Sequence, residues 1–421
     1  MKKVLFIGPV LTRSGYGEHA RFVVDSLLSK PSLYDVYIVP INWGVSSWSY
    51  EHDYKRDVYE HLIKKREAYN GPYDISVQVT VPTEFQAIAT YNIGITAGVE
   101  TTTVPPEWIP KCNAMDKIIV TSEFTKKSFL NTTLELDANF TDEKKSFKGS
   151  YRPFEVVSYP VNDAIAESVD HRLENVNTSF NFLCVSQLAP RKNTEQLLEC
   201  FVEAFRDNDD VGLILKSHAQ NHSICDRDLT EKMLLPAIKR LGDRKCKIYH
   251  IHGELKDSEI LGLMTSSKTN AYYTTTYAEG FGLPLFDAAS VGLPIIAPKF
   301  SGYLDFLHIP HISRTNKAEK RYMFEPIKVE IKEVPDHCVM DNIITKGTKW
   351  GFPDKKKTIQ ALKEVYKNYS VKKKKAESLK EYILDNFSRE QQLEKMCEAI
   401  RTGYENEQSS WTEEMNEAQV L

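Results

Sequence analysis

Short apolar runs recur along this chain, separated by polar segments with helical spacing. In the first part they fall at 4–7, 36–39, 75–79, 93–96 and 118–120. Runs this short and this apolar, alternating with helix patterns, predict βαβ units and a mostly parallel sheet. The rhythm breaks between 131 and 152, where Lys144-Lys145-Ser146-Phe147-Lys148 lies in a polar stretch that predicts an exposed loop. A strand-like run at 154–158 closes this half. Residues 163–179 turn polar and acidic, as a hinge would, and the alternation restarts at 180–185, 211–215, 247–251, 270–274 and 294–297. Between them lie helix stripes such as Leu197, Leu198, Phe201 and Phe205, which are core positions. An irregular stretch, 310–352, precedes long helical patterns from 354 to about 401 and a polar tail. The pattern predicts an α/β chain of two doubly wound parallel-sheet domains facing a cleft, 1–165 and 175–385. Ligands are then expected at the carboxyl ends of strands.

Composition narrows the function classes. The chain has 421 residues, and its 54 Lys+Arg nearly cancel 58 Asp+Glu. A net charge of -4 gives no global field favouring a polyanion, so any nucleic-acid contact has to be local. The best local candidate is Lys144, Lys145, Phe147, Lys148, Tyr151 and Arg152. The 7 Cys are scattered and odd in number, which fits reduced thiols better than disulfides or a zinc site. No stretch approaches the roughly 18 to 20 apolar residues of a membrane span, and no cleavage site follows Lys2-Lys3 and the first apolar run. The expected location is cytoplasmic, with peripheral attachment to a membrane open.

Three strand-to-helix junctions carry candidate chemistry. The first strand runs into Gly8-Pro9-Val10-Leu11-Thr12-Arg13-Ser14-Gly15-Tyr16-Gly17, where Gly15 and Gly17 would let backbone amides approach a phosphate at a helix start. After 180–185, Ser186-Gln187-Leu188-Ala189-Pro190-Arg191-Lys192-Asn193 puts two cations at a strand end, which suits a diphosphate. After 270–274 comes Thr276-Tyr277-Ala278-Glu279-Gly280-Phe281-Gly282-Leu283-Pro284-Leu285-Phe286-Asp287. Glu279 lies in the loop there and Asp287 one or two turns into the helix, so the two carboxylates can reach different hydroxyls of one ligand. Lys216 ends another strand on the same edge. His218, His250 and His252 lack metal-ligand spacing and read as loop or core histidines. Lys372 to Lys375 read as a solvated helix face, with anionic lipid or nucleic acid as the alternative.

The Glu279 block resembles the signature of family 4 of the glycosyltransferases, retaining enzymes of the GT-B fold. That signature places two Glu around a Gly-Phe-Gly core, followed by Gly-Leu-Pro as in Gly292-Leu293-Pro294. Asp287 stands where the family usually has its second Glu, and Gln187 where many members have Arg. Ser301-Gly302-Tyr303 resembles the small-residue turn after the next strand. The stretch Ile93-Gly94-Ile95-Thr96-Ala97-Gly98-Val99-Glu100 is similar to the acceptor-side half of some members, with Glu100 near a position that is often His.

The resemblance implies that Gly15, Gly17, Arg191, Lys192, Lys216, Gly280, Phe281, Gly282, Leu283 and Asp287 bind the donor and that Glu100 and Glu279 act in catalysis. It implies no obligatory metal and no cofactor beyond a nucleotide-diphosphate sugar as co-substrate. Asp207-Asn208-Asp209-Asp210 is then a turn rather than a metal motif. A closing motion about 163–179 and a last helix, about 388–421, packing back on the first domain are also implied. The reaction would be retaining transfer of a hexosyl or pentosyl group. Acceptors open to it are a glycan, a lipid-linked sugar, a small molecule or a hydroxymethylated base in DNA. Two other classes compete: a catalytically weak binding scaffold of the same fold, and a nicotinamide oxidoreductase, which would need the G-x-G-x-x-G motif that this chain lacks.

Overall fold

The computed structural model describes residues 1–48, 55–136, 145–312 and 318–418. The chain divides into two compact units. One comprises Met1–Pro160, Met340–Thr345 and Arg389–Leu421, the other Val161–Val339 and Lys346–Ser388.

The first unit contains β1 (Lys2–Gly8), α1 (Gly15–Leu28), β2 (Tyr34–Pro40), α2 (Arg56–Glu67), β3 (Ile75–Val79), β4 (Tyr91–Thr96), α3 (Trp108–Asn113), β5 (Lys117–Val120), α4 (Glu123–Asn131), β6 (Thr133–Leu136), β7 (Lys145–Lys148) and β8 (Phe154–Val156). Six strands form one parallel sheet in the order β2-β1-β3-β4-β5-β8. Every residue of β3, β4 and β5 is buried, and the polar residues that interrupt the apolar pattern of β3 and β4 are satisfied by one another: Ser76 Oγ donates to Asn92 Oδ1 at 2.9 Å and Gln78 Nε2 to Ser76 Oγ at 3.0 Å. The expected loop at 131–152 instead contains the antiparallel pair β6 and β7. Lys144 lies outside the described residues.

The C-terminal helix Arg389–Ala418 completes this unit. Its Met396, Cys397, Ala399 and Ile400 share one core with Val23, Val24 and Leu27 of α1. Burial of an aliphatic side chain of this size contributes about 1.5–3 kcal/mol. Polar contacts fix the register: Arg389 and Lys55 both pair with buried Asp25, and Lys117 Nζ donates to the Ala399 carbonyl at 2.6 Å.

The second unit contains α5 (Asp170–Leu173), β9 (Phe180–Gln187), α6 (Thr194–Phe205), β10 (Val211–His218), α7 (Ile224–Arg240), β11 (Lys247–Ile251), α8 (Asp257–Thr265), β12 (Ala271–Tyr273), α9 (Leu283–Ser290), β13 (Ile295–Pro298), β14 (His308–Ile312), β15 (Ala318–Tyr322), β16 (Glu325–Ile327), β17 (Val329–Glu333), β18 (Lys349–Pro353), α10 (Lys355–Lys367) and α11 (Tyr369–Asn386). Its parallel sheet has the order β11-β10-β9-β12-β13-β16. The stretch that lacked a sequence pattern holds the antiparallel pairs β14–β15 and β17–β18 and the edge strand β16. Phe182, Phe201, Phe205 and Tyr273 centre the core between the sheet and α6, with rings 5.5–6.3 Å apart.

Counted from its own first strand, the second sheet runs 3-2-1-4-5-6, so the strand order reverses between β9 and β12. The first sheet reverses between β1 and β3. In open α/β sheets the loops leaving the strands at such a reversal diverge and leave room for a ligand.

Candidate active site

The loops after β9 and β12 meet at the reversal point of the second sheet. Residues Pro190–Lys192 form a single 3-10 turn, ended by Asn193 at φ 52° in the left-handed region. Asn193 is held there on several sides. Its Nδ2 donates to Thr275 O at 3.2 Å, its Oδ1 accepts from Tyr277 Oη at 3.0 Å, and its carbonyl accepts from Thr275 Oγ1 at 2.9 Å. The turn therefore presents Arg191 and Lys192 from a fixed base.

Both cations converge on Glu279. Arg191 Nη1 lies 2.8 Å and Lys192 Nζ 2.6 Å from its carboxylate oxygens, and Thr276 Oγ1 donates to the same carboxylate at 2.8 Å. Glu279 is only 8% exposed. Burial alone would raise its pKa, but the two cations outweigh burial and hold it down at about 2. Its main chain is fixed as well: the amide donates to Ser301 Oγ at 2.9 Å and the carbonyl accepts from Gly302 N at 2.9 Å. Ser301 adopts φ 83°, unusual for a residue with a side chain, in supplying that contact.

The remaining residues of this loop have distinct surroundings. Gly282, at φ 96°, precedes α9, and Leu283 opens that helix. Gly280 is buried, and the Phe281 ring packs between Phe286 and Phe306 at 5.1 and 5.0 Å, anchoring the loop to the core. Asp287 is half-buried at the fifth position of α9. Lys216, near the end of β10, is 3% exposed, and its side chain makes no hydrogen bond or ion pair among the described residues. Burial pushes its ammonium down to about 8. Gln187 donates its side-chain amide to the Ala219 carbonyl at 3.0 Å.

Beside Lys216 lies a polar cluster in which His218 and His252, read from the sequence as loop or core histidines, are joined by Asp226 and His222, which the sequence did not single out. Asp226 accepts from Gln220 N at 2.7 Å and contacts His252 Nε2 at 3.1 Å. The His218 and His222 rings lie 4.1 Å apart, and burial pushes these imidazoles down to about 4 and about 3. Among the described residues, no three His, Cys, Asp or Glu are arranged to hold a metal ion.

In the first unit, Gly15 starts α1 and Ser14 caps it, its hydroxyl accepting from Gly17 N at 3.0 Å. A side chain at position 17 would meet Thr12 O at 2.1 Å, so Gly17 answers to packing whatever else it does. Tyr16 ties this turn to the loop after β4: its hydroxyl lies 2.9 Å from Thr96 Oγ1 and accepts from Ala97 N at 3.2 Å. Burial raises the Tyr16 phenol well above its ordinary pKa, and the charge of nearby Glu100 adds to this. Glu100 is half-buried in that same loop.

Other candidates are engaged elsewhere. Tyr151 Oη and Arg152 Nε both donate to the Asn113 carbonyl, at 3.2 and 3.1 Å. Lys372 pairs with Glu325 and Glu364, Lys373 donates to Gly292 O at 2.7 Å, and Lys375 donates to Phe324 O, so three of the four lysines in that run hold α11 in place. Asp210 accepts from Ser179 Oγ at 2.6 Å, as part of a turn. A hollow of about 500 Å³ lined by Glu325, Lys328, Lys357, Glu364 and Lys367 runs along the open side of β16, away from the Glu279 loop. Pro326 and Lys328 there are usual protection for an edge strand.

No family model matches the chain, and no curated protein matches it in sequence. Similarity to solved structures is extensive. HepE from Anabaena, solved in complex with UDP and glucose, aligns at 14% identity and a TM-score of 0.58, covering 96% of this chain and 100% of that one. Sucrose-phosphate synthase from Thermosynechococcus elongatus aligns at 14% identity and 0.60, covering 96% and 99%. WaaG, a glycosyltransferase involved in lipopolysaccharide biosynthesis, aligns at 12% and 0.58, covering 94% and 99%. At such identities the likeness speaks for architecture: two doubly wound α/β domains of the GT-B fold found in glycosyltransferases.

Proposed function

We propose that this chain transfers a sugar from a nucleotide-diphosphate donor to a hydroxyl acceptor, with retention of configuration at the anomeric carbon. The observation that carries the reading is the triad of Arg191, Lys192 and Glu279 at the reversal point of the second sheet. Two adjacent cations suit a diphosphate, and a carboxylate fixed beside them suits sugar hydroxyls. Breaking the bond between sugar and diphosphate builds negative charge on the leaving group and positive charge on the anomeric carbon. In this reading Arg191 and Lys192 stabilise the first, with help from Lys216 and from amides of the Gly15–Gly17 turn. Glu279 orients the sugar and Asp287 the ribose, while Gly280, Gly282 and Leu283 let the loop backbone approach the donor. Same-face attack, with a donor phosphate oxygen taking the acceptor proton, needs neither a protein nucleophile nor a metal.

Glu100 belongs to the acceptor side of the proposal. The acceptor classes are a glycan, a lipid-linked sugar, a small molecule or a modified base in DNA. Engagement of Tyr151 and Arg152 with Asn113 weakens the last of these. No helix among the described residues is long and apolar enough to cross a membrane, so contact with a lipid-linked acceptor would be made from the surface.

A thermal-shift panel of UDP, GDP, ADP, CMP and NAD tests the reading, with UDP first because HepE was solved with it. At ~100 times its dissociation constant a ligand adds about 2.7 kcal/mol of stability. One nucleoside diphosphate raising the melting temperature is the expected result. A response to NAD alone would turn the assignment to an oxidoreductase, and no response at all would turn it to a scaffold.

A further inference from the structure

Glu279 occupies a place that a diphosphate would contest. Its main chain is bound at both ends to Ser301 and Gly302, and Thr276 holds its carboxylate, so the group has little freedom to withdraw. Arg191 is also constrained, because its Nη1 donates to the Ala278 carbonyl as well as to Glu279. Lys192 differs. Among the described residues its Nζ bonds only to Glu279, and it sits at the end of a flexible four-carbon stem. Of the three groups, Lys192 is the one whose partner can change without moving the backbone.

We propose that Glu279 is a resident anion that competes with the nucleoside diphosphate for Lys192, and that its recapture of Lys192 drives product release. The inference rests on the donor site proposed above. No covalent bond changes: the ammonium exchanges a carboxylate oxygen for a phosphate oxygen when ligand enters and reverses the exchange when the diphosphate leaves. With Glu279 ionised the triad carries one net positive charge, and with a neutral side chain in its place it carries two. Sugar orientation and product release thus make opposite demands on one carboxylate. Neutralising it should slow turnover while tightening the product.

The test measures UDP affinity by calorimetry and UDP release by stopped flow on the full chain. Glu279→Gln should bind UDP about tenfold more tightly, or about 1.4 kcal/mol, with the gain appearing as slower release. Lys192→Ala should bind more weakly than wild type, and Glu279→Gln added to Lys192→Ala should bring no further gain. Glu279→Asp keeps the charge but draws the carboxylate back by one methylene, and should tighten UDP by a smaller factor, about twofold. This variant serves if Glu279→Gln folds poorly. UDP binding by wild type that weakens or stays unchanged in Glu279→Gln overturns the exchange alone. So does a gain that persists without Lys192, since removal of charge would then act through space. If neither wild type nor variant binds any nucleoside diphosphate, the functional reading falls and takes the exchange with it.

Discussion

In the second unit Arg191, Lys192 and Glu279 are held to one another by charge. In the first, Gly15, Tyr16 and Gly17 are held chiefly by hydroxyl and amide hydrogen bonds and close packing, with Arg21 bracing the turn they rest on. Arg191, Lys192 and Glu279 form a nearly buried ion triad in which each member offsets the desolvation of the others. Around Gly15 and Gly17 the contacts are a capping serine, a tyrosine hydroxyl shared with Thr96 and Ala97, and a glycine pressed against a carbonyl. A charged knot fails as a unit when one ion is removed or titrated. A neutral one loses its members singly, so the two regions should answer differently to pH and to substitution.

The largest effect expected is acid titration of the triad. Glu279 has its pKa depressed to about 2, so it contributes stability in full above its unfolded value near 4.3 and loses that contribution as pH falls toward 2. The shift corresponds to about 3 kcal/mol for this buried group. Unfolding free energies of wild type and Glu279→Gln, measured from pH 7 downward, should differ by roughly that amount at neutrality and converge below pH 4. A constant difference at all pH values would show that the triad is held by packing rather than charge. His218 and His222 act in an adjacent window. Their pKa values are also depressed, so both states stay neutral above 6.5, and stability falls as pH drops from there toward 4 in wild type and variant alike.

Gly17→Ala comes next and probes the first unit. The new methyl would sit 2.1 Å from the Thr12 carbonyl, a backbone atom whose neighbours are tied down by Arg21 donating to Val10 O and Thr12 O at 3.0 and 2.9 Å. Overpacking of this kind costs about 1–3 kcal/mol. Denaturant unfolding should show the loss with no dependence on pH between 3 and 7, in contrast to the triad. A loss under about 0.5 kcal/mol would mean that the 10–12 turn yields easily.

How much of this was legible in the sequence follows the same division. Arg191, Lys192 and Glu279 stand at strand-to-helix junctions marked by apolar runs and glycines, and they could be singled out because two cations at a strand end suit a diphosphate and because the block around Glu279 resembles a glycosyltransferase signature. Thr276 and Ser301 could not be found that way, because a hydroxyl acquires a role only from what the fold puts beside it. The principal strands could be read because burial on both faces favours apolar residues at successive positions, as in Val4-Leu5-Phe6-Ile7 and Leu213-Ile214-Leu215. The three-residue strand β16 and the hairpins β14–β15 and β17–β18 are too short or too exposed to show a period. Met340–Thr345 belongs to the first unit through such contacts as Trp108 Nε1 donating to Asn342 O at 3.0 Å, which composition does not announce. The lysine run at 372–375 misled in the opposite sense, since a row of like charges looks solvated until its partners on β16 and α10 are seen.

Tyr16→Phe should have the smallest effect, and it sharpens the comparison most. The substitution removes one hydroxyl from a network of neutral groups and leaves the ring, which stacks on Trp43 with centroids 3.9 Å apart, in place. Thr96 Oγ1 keeps a partner, because it also accepts from Gly98 N at 3.1 Å, and among the described residues the amide of Ala97 is left to find a new one. Loss of a neutral hydrogen bond of this kind costs about 1 kcal/mol. Unfolding should therefore shift by that amount, equally at pH 5 and pH 8, because the Tyr16 phenol stays protonated across this range. If sugar transfer to an acceptor falls by far more than this stability loss accounts for, while UDP affinity is unchanged, the contact of Tyr16 with the loop after β4 positions Glu100 for the acceptor. Equal losses in both would assign Tyr16 to the fold alone.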